Sequence, residues 1–157
     1  AFDEAIVRYV RRKHNILIGK RTAEELKIGI ACLVPRAEVG IQEVKGRCLT
    51  TGLPKSVKIS SVELVEAIAE PARDILETIH MVLERTPPEL ASDIMKNGIY
   101  LTGRAAQLYA LDQYIANELN IQVILAKDPG DCTVLGLGYI VENLALLAQQ
   151  GRMPQLN

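Results

Sequence analysis

The stretch that decides the fold is residues 98–148, GIYLTGRAAQLYALDQYIANELNIQVILAKDPGDCTVLGLGYIVENLALLA. Gly98-Ile99-Tyr100-Leu101-Thr102 reads as a buried strand and Ala105 to Leu119 as a helix. Ile121 to Ala126 reads as a second strand, Asp128-Pro129-Gly130-Asp131 as a loop, and Thr133 to Ala148 as a final helix. Strand, helix, strand and helix joined by short loops imply a parallel α/β layer. Gly136-Leu137-Gly138 falls inside the last helical pattern, not between a strand and a helix, so it reads as close helix packing rather than a dinucleotide fingerprint.

Upstream the periodicity changes twice. Phe2, Ala5, Ile6, Tyr9 and Val10 recur at helical spacing and mark an amphipathic helix ending near Asn15. Ile16-Leu17-Ile18-Gly19 reads as a short apolar turn. Thr22 and Glu25 offer a capping box for a second helix that stops before Pro35. Between Val39 and Ile59 the pattern alternates around the turn Thr51-Gly52-Leu53-Pro54, which predicts a small antiparallel element of about two strands. Ser60-Ser61-Val62-Glu63 is another capping box, opening a long helix that continues through Pro71 with a kink. Pro87-Pro88 ends it and pre-sets a new first turn running to Asn97. The tail from Gln149 to Asn157 is polar and reads as frayed.

The 157 residues fit one ordinary domain, and 48% apolar with 24% charged residues is a foldable composition. A net charge of −1 argues against a nucleic-acid partner. Residues 1–36 hold eight basic side chains against four acidic ones, a local surplus that reads as solvated helix faces. Cys32, Cys48 and Cys132 are widely spaced and odd in number, which suggests buried thiols in a reducing compartment. No apolar run reaches the roughly 18 residues of a membrane span, and no signal peptide is visible. The opening Ala1-Phe2-Asp3-Glu4, already helical in pattern and without Met, reads as a cut. His14 and His80 lack metal-ligand spacing; Asp3-Glu4 and Glu24-Glu25 read as charges at helix amino termini.

Three stretches carry a family resemblance: AFDEAIVRYVRRKHNILIGKRTAEELK at the start, PPELASDIMKNGIYLTG in the middle, and AKDPGDCTVLGLGYIVENL at the end. Over about residues 1–148 their order and spacing resemble the carboxy-terminal half of the MreB/Mbl-type bacterial actin homologues, the rod shape-determining family. PPELASDI followed by a strand and LTG is the most specific phrase. The resemblance implies an α/β fold: a ribonuclease-H-like (actin-like ATPase) subdomain at 1–20 and 80–157, with a small α+β subdomain inserted at 21–79.

That resemblance also implies a nucleotide cleft between two halves. The Gly-rich hairpins that hold the phosphates belong to the half outside this chain; this half supplies the adenosine pocket. Thr22-Ala23-Glu24-Glu25-Leu26-Lys27 is similar to the family's T-A-E-x-x-K helix, where Glu24 and Lys27 would flank adenine and ribose. Glu24 would accept from ribose hydroxyls, while the Lys27 stem covers the base and its ammonium stays wet. A solvated Glu–Lys pair on a helix surface is the competing reading. After the strand, the family places two or three glycines where this chain has Gly103, Arg104 and Ala105. Arg104 either reaches the phosphates as a cation or fills the pocket; impaired nucleotide binding is the favoured expectation.

The function implied is that of a bacterial, filament-forming, ATP-binding cytoskeletal protein that determines cell shape and guides wall synthesis. ATP or ADP with Mg would be bound by the complete protein, a weak ATPase, and none by this chain alone, which is expected to lack catalysis. Self-association into filaments and contact with RodZ are the implied partnerships, with a cytoplasmic location and only indirect membrane association. A degenerate actin-fold module that binds proteins without nucleotide is the alternative, followed by another ATPase of the actin and chaperone superfamily. The expected core comprises Phe2, Ile6, Tyr9, Leu76, Ile79, Leu101, Leu108, Val123, Leu125, Val134 and Leu144.

Overall fold

The helical spacing at the start of the chain is realised as α1 (Phe2–His14), which buries Phe2, Ala5, Ile6, Tyr9 and Val10. A computed structural model describes residues 1–34 and 37–144 of the chain. Asp3 and Glu4 sit in the first turn of α1, and Arg11, Arg12, Lys13 and His14 in its last, so both ends oppose the helix dipole. Asn15 ends the helix in the left-handed region at φ 56°.

The next segment corrects the expected turn. Ile16–Leu17 form strand β1, antiparallel to β2 (Ile41–Cys48), with Ile16 opposite Cys48. Gly46 makes that pairing possible, since a Cβ there would lie 2.7 Å from the Leu17 carbonyl oxygen. β2 and β3 (Pro54–Ser60) pair antiparallel from Ile41↔Ser60 to Arg47↔Pro54, giving a three-stranded sheet of order β1-β2-β3. The predicted hairpin is present, with one more strand than its alternation revealed.

Helix α2 (Lys20–Gly29) also starts differently from expectation. Its amino-terminal cap is Gly19, with no side-chain cap bond, and the Gly19 carbonyl accepts from Ala23 N at 3.1 Å. Thr22 therefore lies inside the helix, no Thr22–Glu25 box forms, and Glu24-Glu25 sit mid-helix instead of at its amino end. The helix begins two residues before Thr22, so its first-turn N–H groups receive no side-chain cap. Ser60, by contrast, caps α3 (Ser61–Arg85) with a complete box: Glu63 N donates to Ser60 Oγ at 3.3 Å, and Ser60 N to Glu63 Oε2 at 3.0 Å. Pro71 lies within this helix without ending it.

After α4 (Pro88–Asn97), β4 (Ile99–Leu101) and β5 (Val123–Leu125) pair in parallel, as the alternation predicts. The helix expected from Ala105 is broken. A 3-10 turn at Arg104–Gln107 gives way to extended Leu108 and left-handed Ala110 before α5 (Leu111–Leu119). Burial of Leu108 in the core and a bridge from Tyr109 to Cys32 hold that stretch open. α6 (Cys132–Glu142) follows; Ala145–Ala148 of the predicted final helix lie outside the described residues.

One contiguous core joins α1, α2, α3, β2 and β3 with Leu108, Leu111 and Ile115. Phe2, Ile6, Tyr9, Leu76 and Leu108 are buried as expected, while Ile79, Leu101 and Val123 pack against the cluster from its rim. Three expectations fail: Leu125, Val134 and Leu144 are exposed, Val134 by 69%. Strand 99–101 is half-buried at best, with Tyr100 exposed. A Cβ on Gly136 or Gly138 would meet nothing within 4 Å, so the close helix packing expected there is absent among the described residues. The common reason is that α6 has no buried residue and α4 none either. Of the cysteines, Cys32 is buried, but Cys48 and Cys132 are only partly covered. Among the described residues no helix is long and apolar enough to cross a membrane.

Candidate functional site

A cavity of about 480 Å³ opens where three segments meet. Helix α2 contributes Arg21, Glu24, Glu25 and Ile28; the 3-10 turn contributes Arg104 and Gln107; the loop after β5 contributes Asp128, Pro129, Gly130 and Asp131. At 3.6 residues per turn, positions 21, 24, 25 and 28 share one arc of a helix, while 23, 26 and 27 share another. The first arc faces the cavity; Ala23, Leu26 and Lys27 are buried against the core.

This geometry separates the two α2 residues that the sequence groups together. Glu24 lines the cavity. Lys27, about 60° further round the helix, turns into the core instead: its side chain is 5% exposed, and Nζ lies 2.8 Å from Asp3 Oδ1 on α1. The Lys27 ammonium expected to stay wet is thus buried, a correction that follows from the burial of Asp3 Oδ1 beside it. That oxygen accepts no well-directed hydrogen bond, so the approach is a charge contact. Lys27 pins α2 to α1 behind the cavity wall.

Arg104 stands at the opposite wall, and Gly103 precedes it just outside the lining. Gly103 adopts φ +83°, where nothing lies within 4 Å of a Cβ, so backbone conformation rather than space favours glycine there. Its N–H donates to the Pro129 carbonyl at 2.6 Å and ties the turn after β4 to the loop after β5. Arg104 Nη1 lies 3.6 Å from Glu24 Oε1, across the cavity. Arg21 Nε donates to Glu25 Oε1 at 3.2 Å within α2. With two guanidinium groups against Glu24, Glu25, Asp128 and Asp131, the lining is net negative.

The arrangement suits a small polar ligand with hydroxyl or amino groups to offer, which the carboxylates accept. Among the described residues no group of three or more His, Cys, Asp or Glu is placed to hold a metal ion. Of the four expected site residues, Glu24 and Arg104 line this cavity while Gly103 and Lys27 do not; the sequence did not single out Arg21, Glu25, Ile28, Gln107, Asp128 or Asp131 as lining. The i, i+3, i+4, i+7 spacing of the α2 set was a usable signal; the meeting of α2 with the 128–131 loop, some hundred positions away, was not. A second cavity of about 500 Å³, lined by Cys32, Val39, Val62, Val65 and Ala69 among others, holds none of the expected site residues.

Comparison with known proteins places the architecture. The crystal structure of MreB 5 of Spiroplasma citri bound to AMPPNP superposes with a TM-score of 0.87 at 34% identity, covering 96% of this chain and 45% of that one. The MamK double helical filament gives a TM-score of 0.66 at 22% identity, covering 82% of this chain and 39% of that one, which speaks to fold alone. The fold is that of the actin-like ATPases.

The profile of the MreB/Mbl protein family matches residues 1–149, and the chain belongs to that family. It is 40% identical to the cell shape-determining protein Mbl of Bacillus subtilis (strain 168) over 149 residues, 95% of this chain and 45% of that protein. It is 44% identical to the cell shape-determining protein MreB of Escherichia coli (strain K12) over 141 residues, 90% of this chain and 41% of that protein. The chain thus spans less than half the length of these relatives.

Proposed function

We propose that the chain is the carboxy-terminal portion of a bacterial actin-like cell-shape protein and that its α2 cavity holds the adenosine part of ATP or ADP. The observation that carries this reading is the convergence of Glu24 and Arg104, 80 residues apart in sequence, on one net-negative cavity. The AMPPNP and ADP in the Spiroplasma citri structures support nucleotide as the ligand. In this reading Glu24 accepts from the ribose hydroxyls, Gly103 supplies the positive-φ turn that sets Arg104 at the wall, and Lys27 steadies α2 from behind. The phosphate cradle, the magnesium and the oriented water that phosphoryl transfer needs are assigned in this reading to parts of the protein outside this chain, which itself offers the phosphates only Arg104. This chain alone therefore does not turn over ATP. Filament formation, contact with RodZ and indirect membrane association belong to the complete protein, and the division into 1–20 with 80–157 and an inserted 21–79 is part of the same proposal.

Calorimetric titration of the intact protein with ATP is the test. Glu24→Ala removes a charge-assisted contact and is expected to weaken binding about tenfold. Unchanged affinity in that variant would overturn the assignment of the cavity. Sequence upstream of Ala1 without a Gly-rich phosphate loop would overturn the placement in the carboxy-terminal portion. The alternative, an actin-fold module that binds proteins without nucleotide, draws on the Arg104–Glu24 pair and would be supported by absence of any nucleotide binding.

A further inference from the structure

We propose that Arg104 gates the cavity, a role that rests on the nucleotide reading above and specifies how ligand enters. The Arg104 side chain spans the cavity between its three walls. It starts on the 3-10 turn, its Cγ lies 3.6 Å from where a Gly130 Cβ would stand, and its guanidinium reaches Glu24 on α2 at 3.6 Å. In that position the carboxylate best placed to receive ligand hydroxyls is engaged by a cation of the chain itself. A ligand hydroxyl that takes Glu24 Oε1 must compete with that guanidinium.

The consequence is a discrimination between ligands of one shape and different charge. A nucleotide that displaces Arg104 offers it phosphate oxygens, which guanidinium groups bind in good geometry. A neutral nucleoside offers no such exchange and must leave the guanidinium to water. The gate therefore works against adenosine and is neutral or favourable toward ATP and ADP. Because Arg104 is 76% exposed, the pair is a weak and salt-sensitive one. A modest latch that opens readily is the result, and its strength falls as ionic strength rises.

Adenosine and ATP titrations of the intact protein, of Arg104→Gly and of Arg104→Lys, at low and high ionic strength, test the proposal. Adenosine is expected to bind Arg104→Gly about two- to fivefold more tightly than the unaltered chain at low ionic strength, the scale of an exposed ion pair. Raising the salt should improve adenosine binding to the unaltered chain and to Arg104→Lys, and leave Arg104→Gly unchanged. Equal adenosine affinity for all three, or a salt response that survives in Arg104→Gly, would overturn the gate while leaving the cavity a nucleotide site. If no form binds either ligand, the nucleotide reading falls and the gate with it.

Discussion

Helices α1, α2 and α3 bury Ile6, Val10, Leu26, Leu64 and Ile68 completely or nearly so, whereas α4 and α6 bury no residue at all. The region without burial is not the less apolar one, since α6 is the most apolar of these helices. α6 carries Val134, Leu135, Leu137, Tyr139, Ile140 and Val141, all exposed, with Glu142 as its one charge. A helix that is apolar all round belongs in an interior, and a parallel sheet belongs between covered faces, yet β4 and β5 make only a two-stranded one. Apolar sequence thus specifies burial without naming the partner. Around α1–α3 the partner lies within the chain; around α6 none is found among the described residues.

The contrast predicts a large difference in mutational cost. Ile68→Ala should destabilise the protein by about 2–5 kcal/mol, through lost transfer energy and the cavity left behind. Val134→Ala should cost less than about 0.5 kcal/mol if its exposure persists in solution. Denaturant unfolding monitored by circular dichroism gives both values. A cost above about 2 kcal/mol for Val134→Ala would break the contrast and show that α6 is covered in the protein measured.

Such a difference explains what was legible in the sequence. The α1 face, the β2–β3 hairpin, the Ser60–Glu63 box and the parallel β4–β5 pair were all readable, because each depends on residues close in sequence or on one clear period. β1 was missed because two residues carry no period. The break before α5 was missed because Leu108 is drawn into a core built by distant segments, which overrides local helical preference. At the cavity, Glu24 and Arg104 came from family resemblance, as did Gly103 beside it. The direction of Lys27 did not, since a three-residue separation brackets a face about 60° wide in angle and only packing decides which side of it is wet.

A smaller effect is expected at that lysine. Lys27→Ala would leave Asp3 beside the core without its cation, at a cost of about 2–3 kcal/mol. This lies below the usual range for a broken buried pair because Asp3 is itself 34% exposed. Replacing both partners, as Lys27→Met with Asp3→Ala, should recover most of that loss, since apolar substitutes need no desolvation. Thermal melts of the single and double variants measure the difference. A double variant no more stable than Lys27→Ala would show that Lys27 acts by packing its stem and not by its charge.

The smallest effect concerns the α1–α3 junction, where the well-packed region is held by charge as well as by apolar contact. His14 Nε2 lies 3.1 Å and Lys13 Nζ 3.5 Å from Glu63 Oε1, beside the Ser60 cap. Burial pushes the Glu63 carboxyl up, but hydrogen bonds from the Ser60 backbone and side chain, with the charges of His14 and Lys13, outweigh it and hold the group below its ordinary value of 4.5. A carboxyl depressed in the folded state binds its proton more weakly there than in the unfolded chain. Its contribution to stability is therefore fully present above the unfolded value and is lost as pH falls through the folded one. Melting temperatures of the unaltered chain and Glu63→Gln should differ most near neutral pH and converge in acid, once the pH has fallen below the depressed folded value. A gap that stays constant down to that range would mean that Glu63 contributes through its neutral cap geometry alone, so that the α1–α3 region owes its order to packing without help from this charge.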